Sequence, residues 1–225
     1  MPPRLQHIAV VALAVLATVS GCSVTDPSAG EEIPTMSPSA STTPGPEVAE
    51  LTATGEPLAA GRYTRAGFVP TITLDLDRSW QAVQLAGGFF DVQQEVGSPD
   101  VIAVQFARPI GIFGAGSSNE PAPSADEAVE VLGANPGLSV IESSESRIGG
   151  LTGSQVTVEN AGDAHAHVMQ VPPGALGIDP GRRLWIAFFD TPDGLLAIMI
   201  GGSVASWDDA LAAAEPVLES VRIGE

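Results

Sequence analysis

Lysine is absent from this 225-residue sequence, so all positive charge rests on nine arginines set against 27 acidic residues, a formal charge of −18. Nucleic acid and anionic headgroups are held by basic contacts, and a surface of this sign repels both. Nucleic-acid binding is therefore excluded, and the charge is read as a solubilising surface in preference to an acidic recognition surface. A single cysteine cannot close an intrachain disulfide, so an exported domain must be held by its core alone. Aromatic residues are scarce at 5%, which leaves that core to Val, Leu, Ile and Ala within a hydrophobic content of 44%. The longest apolar run, Ile8 to Val19, has 12 residues and falls short of the roughly 20 that a membrane-crossing helix needs. No His-Glu-x-x-His, Gly-x-Ser-x-Gly, P-loop or helix-opening Gly-x-Gly-x-x-Gly occurs. The sequence thus carries no standard catalytic signature, and no cofactor is expected.

What is present begins with a secretory signature. Arg4, with His7 nearby, forms a short basic region before the apolar run, and the small residues Ser20 and Gly21 precede Cys22. Residues 1–21 therefore read as a cleaved signal peptide. Val19-Ser20-Gly21-Cys22 resembles the lipobox of bacterial lipoproteins: a branched apolar residue, a small residue, Gly or Ala, then Cys. The resemblance implies diacylglyceryl attachment to the Cys22 thiol and cleavage before it. The domain would then be lipid-anchored on the outer face of the cytoplasmic membrane. One acyl chain holds a protein only marginally, whereas two or more anchor it stably. The mature chain would have 204 residues, no free thiol, and eight arginines against 27 acidic residues, a charge of −19.

Residues 22–57 read as the lipidated cysteine followed by a disordered tether. Of the 35 residues from Ser23 to Pro57, 20 are Pro, Ser, Thr or Gly, and no apolar periodicity is present. Such a segment buries too little surface to order itself. As a coil it would hold the domain roughly 30–35 Å from the membrane. Its Ser/Thr-Pro composition also suits O-glycosylation.

Residues 58–225 read as one globular domain. Thr71 to Asp77 alternates, with Ile72, Leu74 and Leu76 on one face of a strand. Trp80 to Leu85 continues in extended form, and Phe89 to Val96 and Asp100 to Arg108 form a hairpin about Gly97-Ser98-Pro99. Pro109 to Pro123 reads as a long Gly/Pro-rich loop, a length that is usually functional or disordered. Ser124 opens a short helix to about Leu132, with Val129 and Leu132 facing the sheet. Strands are expected over Leu138–Arg147, Leu151–Glu159 and His165–Val171, then a loop over Pro172–Gly181. Leu184–Phe189 and Leu195–Ile200 are apolar on both faces and belong at the sheet centre. A last helix starts at Ser206, with Asp209 at the capping-box position, and carries the stripe Trp207, Leu211, Ala214, Leu218, Val221. Pro216 should kink it. The sum is an α+β fold: a meandering antiparallel sheet of about eight strands with two helices packed on it.

Several segments resemble an uncharacterised domain common in exported actinobacterial proteins. They are Ala60-Gly61-Arg62-Tyr63-Thr64 with Phe68-Val69-Pro70, the strand leading to Trp80, Asn135-Pro136-Gly137-Leu138, Gly149-Gly150-Leu151-Thr152-Gly153 and Ala214-Glu215-Pro216-Val217-Leu218. The element order is also similar to PsbP-like folds. Neither resemblance brings functional residues with it, and fold analogy alone carries no activity.

One cluster has ligand chemistry. In Asp163-Ala164-His165-Ala166-His167 the two histidines share a strand face about 7 Å apart, with Asp163 as a third metal donor. The alternative is a partly buried edge, since Met169 and Val171 continue that face. Arg182 and Arg183, beside Trp185, would anchor an anionic ligand or, preferably, form salt bridges on an acidic surface. Trp80 and Trp207 are core anchors. The expected function is a monomeric, non-catalytic binding or accessory module. Its partner would be an apolar or lipidic ligand or an envelope protein, seated under the loops 109–123 and 172–183. A metal-assisted enzyme using His165 and His167, and a structural spacer, are the alternatives.

Overall fold

The structure is a computed structural model that describes residues 47–224 apart from 54, 117–118, 122–123 and 173. The signal peptide, the lipobox Val19-Ser20-Gly21, Cys22 and the tether to residue 46 lie outside the described residues. In chain order the elements are β1 (Val48–Glu50), β2 (Gly61–Thr64), β3 (Ile72–Leu76), β4 (Gln81–Ala86), β5 (Phe89–Gln94), β6 (Ile102–Ala107), β7 (Gly111–Phe113) and β8 (Asn119–Glu120). Helix α1 (Ala125–Gly133) follows, then β9 (Leu138–Ile148), β10 (Leu151–Asn160), β11 (Ala166–Val171), β12 (Gly174–Ile178), β13 (Arg182–Thr191) and β14 (Gly194–Ser203). Helix α2 (Trp207–Ser220) and β15 (Arg222–Ile223) close the chain.

The fold is α+β, with two helices on a mostly antiparallel framework. The strands number 15 among the described residues and form three sheets, where about eight in one meander were expected. The central sheet has seven strands in the order β4-β5-β6-β14-β13-β10-β9, all antiparallel. A second sheet, β1-β2-β3-β15, contains one parallel pair, β1 with β2. The third is β12-β11-β7-β8. The loops expected at 109–123 and 172–181 supply β7, β8 and β12. Segments of two to five residues rich in Gly and Pro show too little alternation to be read as strands.

The apolar pair β13 and β14 does lie in the middle of the central sheet, with a core on each side. Because side chains alternate, Phe189, Ile198 and Ile200 point to one side and Phe188, Ile186 and Met199 to the other. On the first side they meet Trp207, Ala210, Ala214 and Val217 of α2, together with Tyr63, Ile72 and Leu74 of the second sheet. Phe90 stacks on Phe106 at 4.6 Å between centroids and takes the edge of Phe68 at 5.0 Å. On the other side they meet Ala125, Ala128 and Leu132 of α1 and Ile112, Val168, Met169 and Ile178 of the third sheet. Trp80 and Trp207 are buried, as expected of core anchors.

Each helix is seated by local chemistry. Ser124 caps α1, its Oγ accepting the Glu127 N–H at 3.2 Å. Ser206 precedes α2 without capping it, and donates instead to Asp100 at 3.1 Å. The buried stripe of α2 is Trp207, Ala210, Ala214, Val217 and Val221, one step round from the stripe expected, which leaves Leu211 and Leu218 half-buried at its flank. Gly202 permits this approach: a Cβ there would sit 2.8 Å from the Ala210 Cβ. The helix continues through Pro216 to Ser220.

Within the segment expected as tether, the described residues from Val48 onward are ordered. Val48–Glu50 pairs with β2, Leu51 is 1% exposed, and Glu50 accepts from Arg65 and from the Ala66 N–H at 2.9 Å. Three strand residues and one buried leucine order a segment whose composition reads as coil.

Candidate functional site

Two grooves concentrate the residues with chemical or binding capacity. The first is a cavity of ≈ 650 Å³ lined by Phe113, Asn135–Gly137 and residues 160–167. Two Asn-x-Gly turns build it. Asn135 accepts the Gly137 N–H at 2.9 Å, and its Nδ2 donates to the Phe113 and His167 carbonyls. Asn160 repeats the device, accepting the Gly162 N–H at 2.8 Å and donating to the Ala164 and Ile178 carbonyls. Each amide therefore fixes its own loop and ties two neighbouring segments.

Asp163, His165 and His167 all line this groove, but they are not gathered as a donor set. His165 precedes β11, and its Nδ1 is 2.8 Å from Oδ1 of Asp179 rather than near Asp163. Its Nε2 rests against Gly177, where a Cβ would lie 2.3 Å away. His167 sits edge-on to His165 at 5.2 Å between centroids and tilted against Phe113 at 5.1 Å. Among the described residues no group of three or more His, Cys, Asp or Glu is placed to hold a metal. His165 and His167 do share an exposed face, but Met169 does not continue it: register shifts between His167 and Met169, so Val168 and Met169 are both buried.

The second groove has a volume of ≈ 600 Å³ and runs along α2. Its sheet wall is Glu145–Ile148 of β9, Gln155 of β10, Trp185 of β13 and Ile200 of β14, and its helix wall includes Leu211, Glu215, Leu218 and Glu219. It exists because α2 packs mainly on β14, β6 and β3, leaving the β13-β10-β9 end of that face beside it. On that end Trp185 is paired across to Thr157, and Thr157 to Glu142. Thr157 Oγ1 donates to Glu142, and Gln155 to Ser144. Half-buried Trp185, Leu211 and Leu218 supply its apolar surface.

Arg182 and Arg183 both line a cavity of ≈ 210 Å³ beside Asp179, and both are engaged by the fold. Arg182 clamps the β5–β6 turn, donating to the Pro99 and Val101 carbonyls at 2.7 Å each. Its burial pulls its pKa below the usual arginine range, an effect opposed by Asp179 and Asp100. Arg183 pairs with Glu159 through Nε at 2.7 Å and lies 5.4 Å over the Trp207 ring. Both are used by the fold, and of the three residues only Trp185 lines the apolar groove.

No motif in the sequence pointed to Asp179 as the partner of His165, or to the groove along α2. The one available signal was the pair of half-buried leucines on α2, which shared a stripe with residues that prove fully buried.

No family model matches the chain, and no curated protein matches it. Solved structures do. The chain is similar to cyanobacterial PsbP (CyanoP) from Synechocystis sp. PCC 6803, at 12% identity and a TM-score of 0.41, over 76% of this chain and 97% of that one. It is similar to LpqN, involved in cell envelope biogenesis of Mycobacterium tuberculosis, at 11% and 0.37, over 80% and 89%. A Bacteroides thetaiotaomicron protein matches at 9% and 0.35, over 68% of this chain and 45% of its own length. A PsbP protein is thus among the neighbours. At TM-scores below 0.5 none of these likenesses is extended to the grooves.

Proposed function

We propose that this chain is a non-catalytic binding or accessory module, held outside the cytoplasmic membrane by acylated Cys22. The groove along α2 carries this reading. It is of ligand size, and it places a tryptophan and two leucines, all half-buried, around one concavity. Under the loops 109–123 and 172–183 the described residues line smaller cavities, of ≈ 100 Å³ and ≈ 210 Å³. Ile112 and Ile178 from those segments are buried in the core against α1 and β11. The metal-assisted alternative is less favoured, because no three His, Cys, Asp or Glu among the described residues are placed to hold a metal.

Two measurements test the proposal. Fatty-acid labelling in the native host should mark the wild-type chain and not Cys22→Ser; equal labelling of both refutes the anchor. Native mass spectrometry of the protein purified from that host should show a bound species that Leu218→Asp releases. Finding the wild type and the variant equally unladen would count against a binding role.

A further inference from the structure

The sheet face beside α2 is wide enough for a second helix. In a two-layer α/β arrangement, a sheet face is covered by helices lying side by side. Here α2 takes the β14 and β6 side of the face, and β13, β10 and β9 continue beyond it. Two inter-strand steps, from β13 to β9, span roughly 10 Å, about the diameter of one α-helix. The floor and helix wall offer half-buried Trp185, Leu211 and Leu218, with Ile148 and Ile200 buried beneath them, the kind of surface that receives the apolar stripe of an amphipathic helix. The polar Gln155 on the same floor suits a partner that comes and goes rather than a permanently buried one.

Charge narrows the occupant. Glu145, Glu215 and Glu219 stand around the groove against a single arginine, Arg147. Among the described residues none of these four makes an ion pair or side-chain hydrogen bond. Elsewhere the arginines are used: Arg62, Arg65 and Arg183 pair with carboxylates and Arg182 with carbonyls. A second copy of this chain, at −18 with no lysine, would bring the wrong sign. A fatty acid would bring a further carboxylate.

We propose that the groove between α2 and β9 docks an amphipathic α-helix of a partner polypeptide, apolar along one stripe and basic beside it. This rests on the binding-module reading and names its partner class.

The test uses the full chain and an 18-residue model peptide with leucines at i, i+3, i+4 and i+7 and arginines flanking them. Glutamate replaces arginine in a control peptide, and laurate serves as an apolar probe. The arginine peptide should shift the Trp185 indole resonance and leave those of Trp80 and Trp207 in place. Joint Glu215→Gln and Glu219→Gln should weaken it about fivefold or more, while Glu127→Gln with Glu130→Gln on α1 should not. Equal binding of the glutamate peptide, or equal weakening by the α1 pair, overturns the proposal as unspecific attraction. Laurate shifting Trp185 when the peptide does not overturns the helix and keeps an apolar binding site. If neither shifts it, both this proposal and the binding reading of the groove fall. Self-association through the groove, seen as a dimer that Leu218→Asp dissolves, would replace the partner helix with a second copy.

Discussion

Asp91 is a buried carboxylate held by several hydrogen bonds. It is 2% exposed in β5 and accepts the Gln84 N–H at 2.6 Å and the Gln93 amide at 2.6 Å. The Gln84 bond lies inside the register shift between Ala82 and Leu85, so the carboxylate satisfies backbone freed by a bulge in β4. Burial raises its pKa above the ordinary 3.8, and the hydrogen bonds from Gln93 and Gln84 oppose the rise. A raised folded-state value means that the native protein holds this proton more tightly than the unfolded chain does. Asp91 therefore contributes stability that is present below pH 3.8 and lost as pH rises through its folded value. Denaturant unfolding from pH 3 to 7 should show the wild type losing stability relative to Asp91→Asn as pH rises; a wild type that gains stability relative to the variant would contradict this. Asp91→Ala should cost about 1–3 kcal/mol, since it orphans buried donors. Asp75 runs the other way. The hydrogen bond from Arg62 lowers its pKa, so its contribution is present above pH 3.8 and lost as pH falls through the folded value.

Gly153 poses a steric question with the same sharpness. A Cβ there would stand 2.0 Å from the Phe188 carbonyl oxygen and 2.8 Å from the Phe189 ring. Gly153→Ala must push β10 from β13 and should cost on the order of 1–3 kcal/mol. Gly87→Ala, with nothing within 4 Å, should stay within about 0.5 kcal/mol. Thermal unfolding of the two variants separates them; equal melting points would show that β10 relaxes freely.

At the scale of elements, packing predicts an order of opening. β13 and β14 are paired on both sides and carry both cores. β1 has three exposed residues and one neighbour. Native-state hydrogen exchange should place the slowest amides in β13 and β14 and the fastest strand amides in β1. Protection of β1 equal to β14 would mean that the two sheets open as one unit. Leu132→Ala in α1 should cost about 2–5 kcal/mol, because Leu132 is fully enclosed.

The same scale shows what the sequence could carry. Long segments with a clear period were legible: β3 from Ile72-Leu74-Leu76, the β9–β10 hairpin about Gly149-Gly150, the doubly apolar β13 and β14, and α1 from Ser124 onward. Elements whose existence depends on a distant partner were not. β7 is three residues long and stands because Met169 and Gln170 pair with it. β1 stands because β2 does. The site suffered most: Asp163, His165 and His167 sit close in sequence, but the carboxylate that His165 meets is Asp179, from a segment no local pattern links to it. The α2 groove arises from what the helix leaves uncovered, and an uncovered surface has no local pattern to read.

For the whole molecule the governing quantity is charge. The chain carries 27 acidic groups and nine arginines, and the described ion pairs that use arginine are Arg62–Asp75, Arg65–Glu50 and Arg183–Glu159. Most described carboxylates therefore have no arginine partner. Compacting such a chain draws like charges together, a cost that the unfolded chain relieves by expanding. Salt shortens the screening length from about 30 Å at 0.01 M to about 8 Å at 0.15 M, which weakens repulsion across the molecule more than it weakens the close pairs. The melting temperature should therefore rise between these two salt concentrations at neutral pH, and the rise should shrink at pH 4, where many carboxylates are protonated. A melting temperature that falls with salt would mean that the few ion pairs outweigh the repulsion. The same experiment bears on docking. If a basic helix occupies the acidic groove, its binding should weaken over this range as the protein alone grows more stable, since screening removes attraction between partners and repulsion within one chain by the same physics.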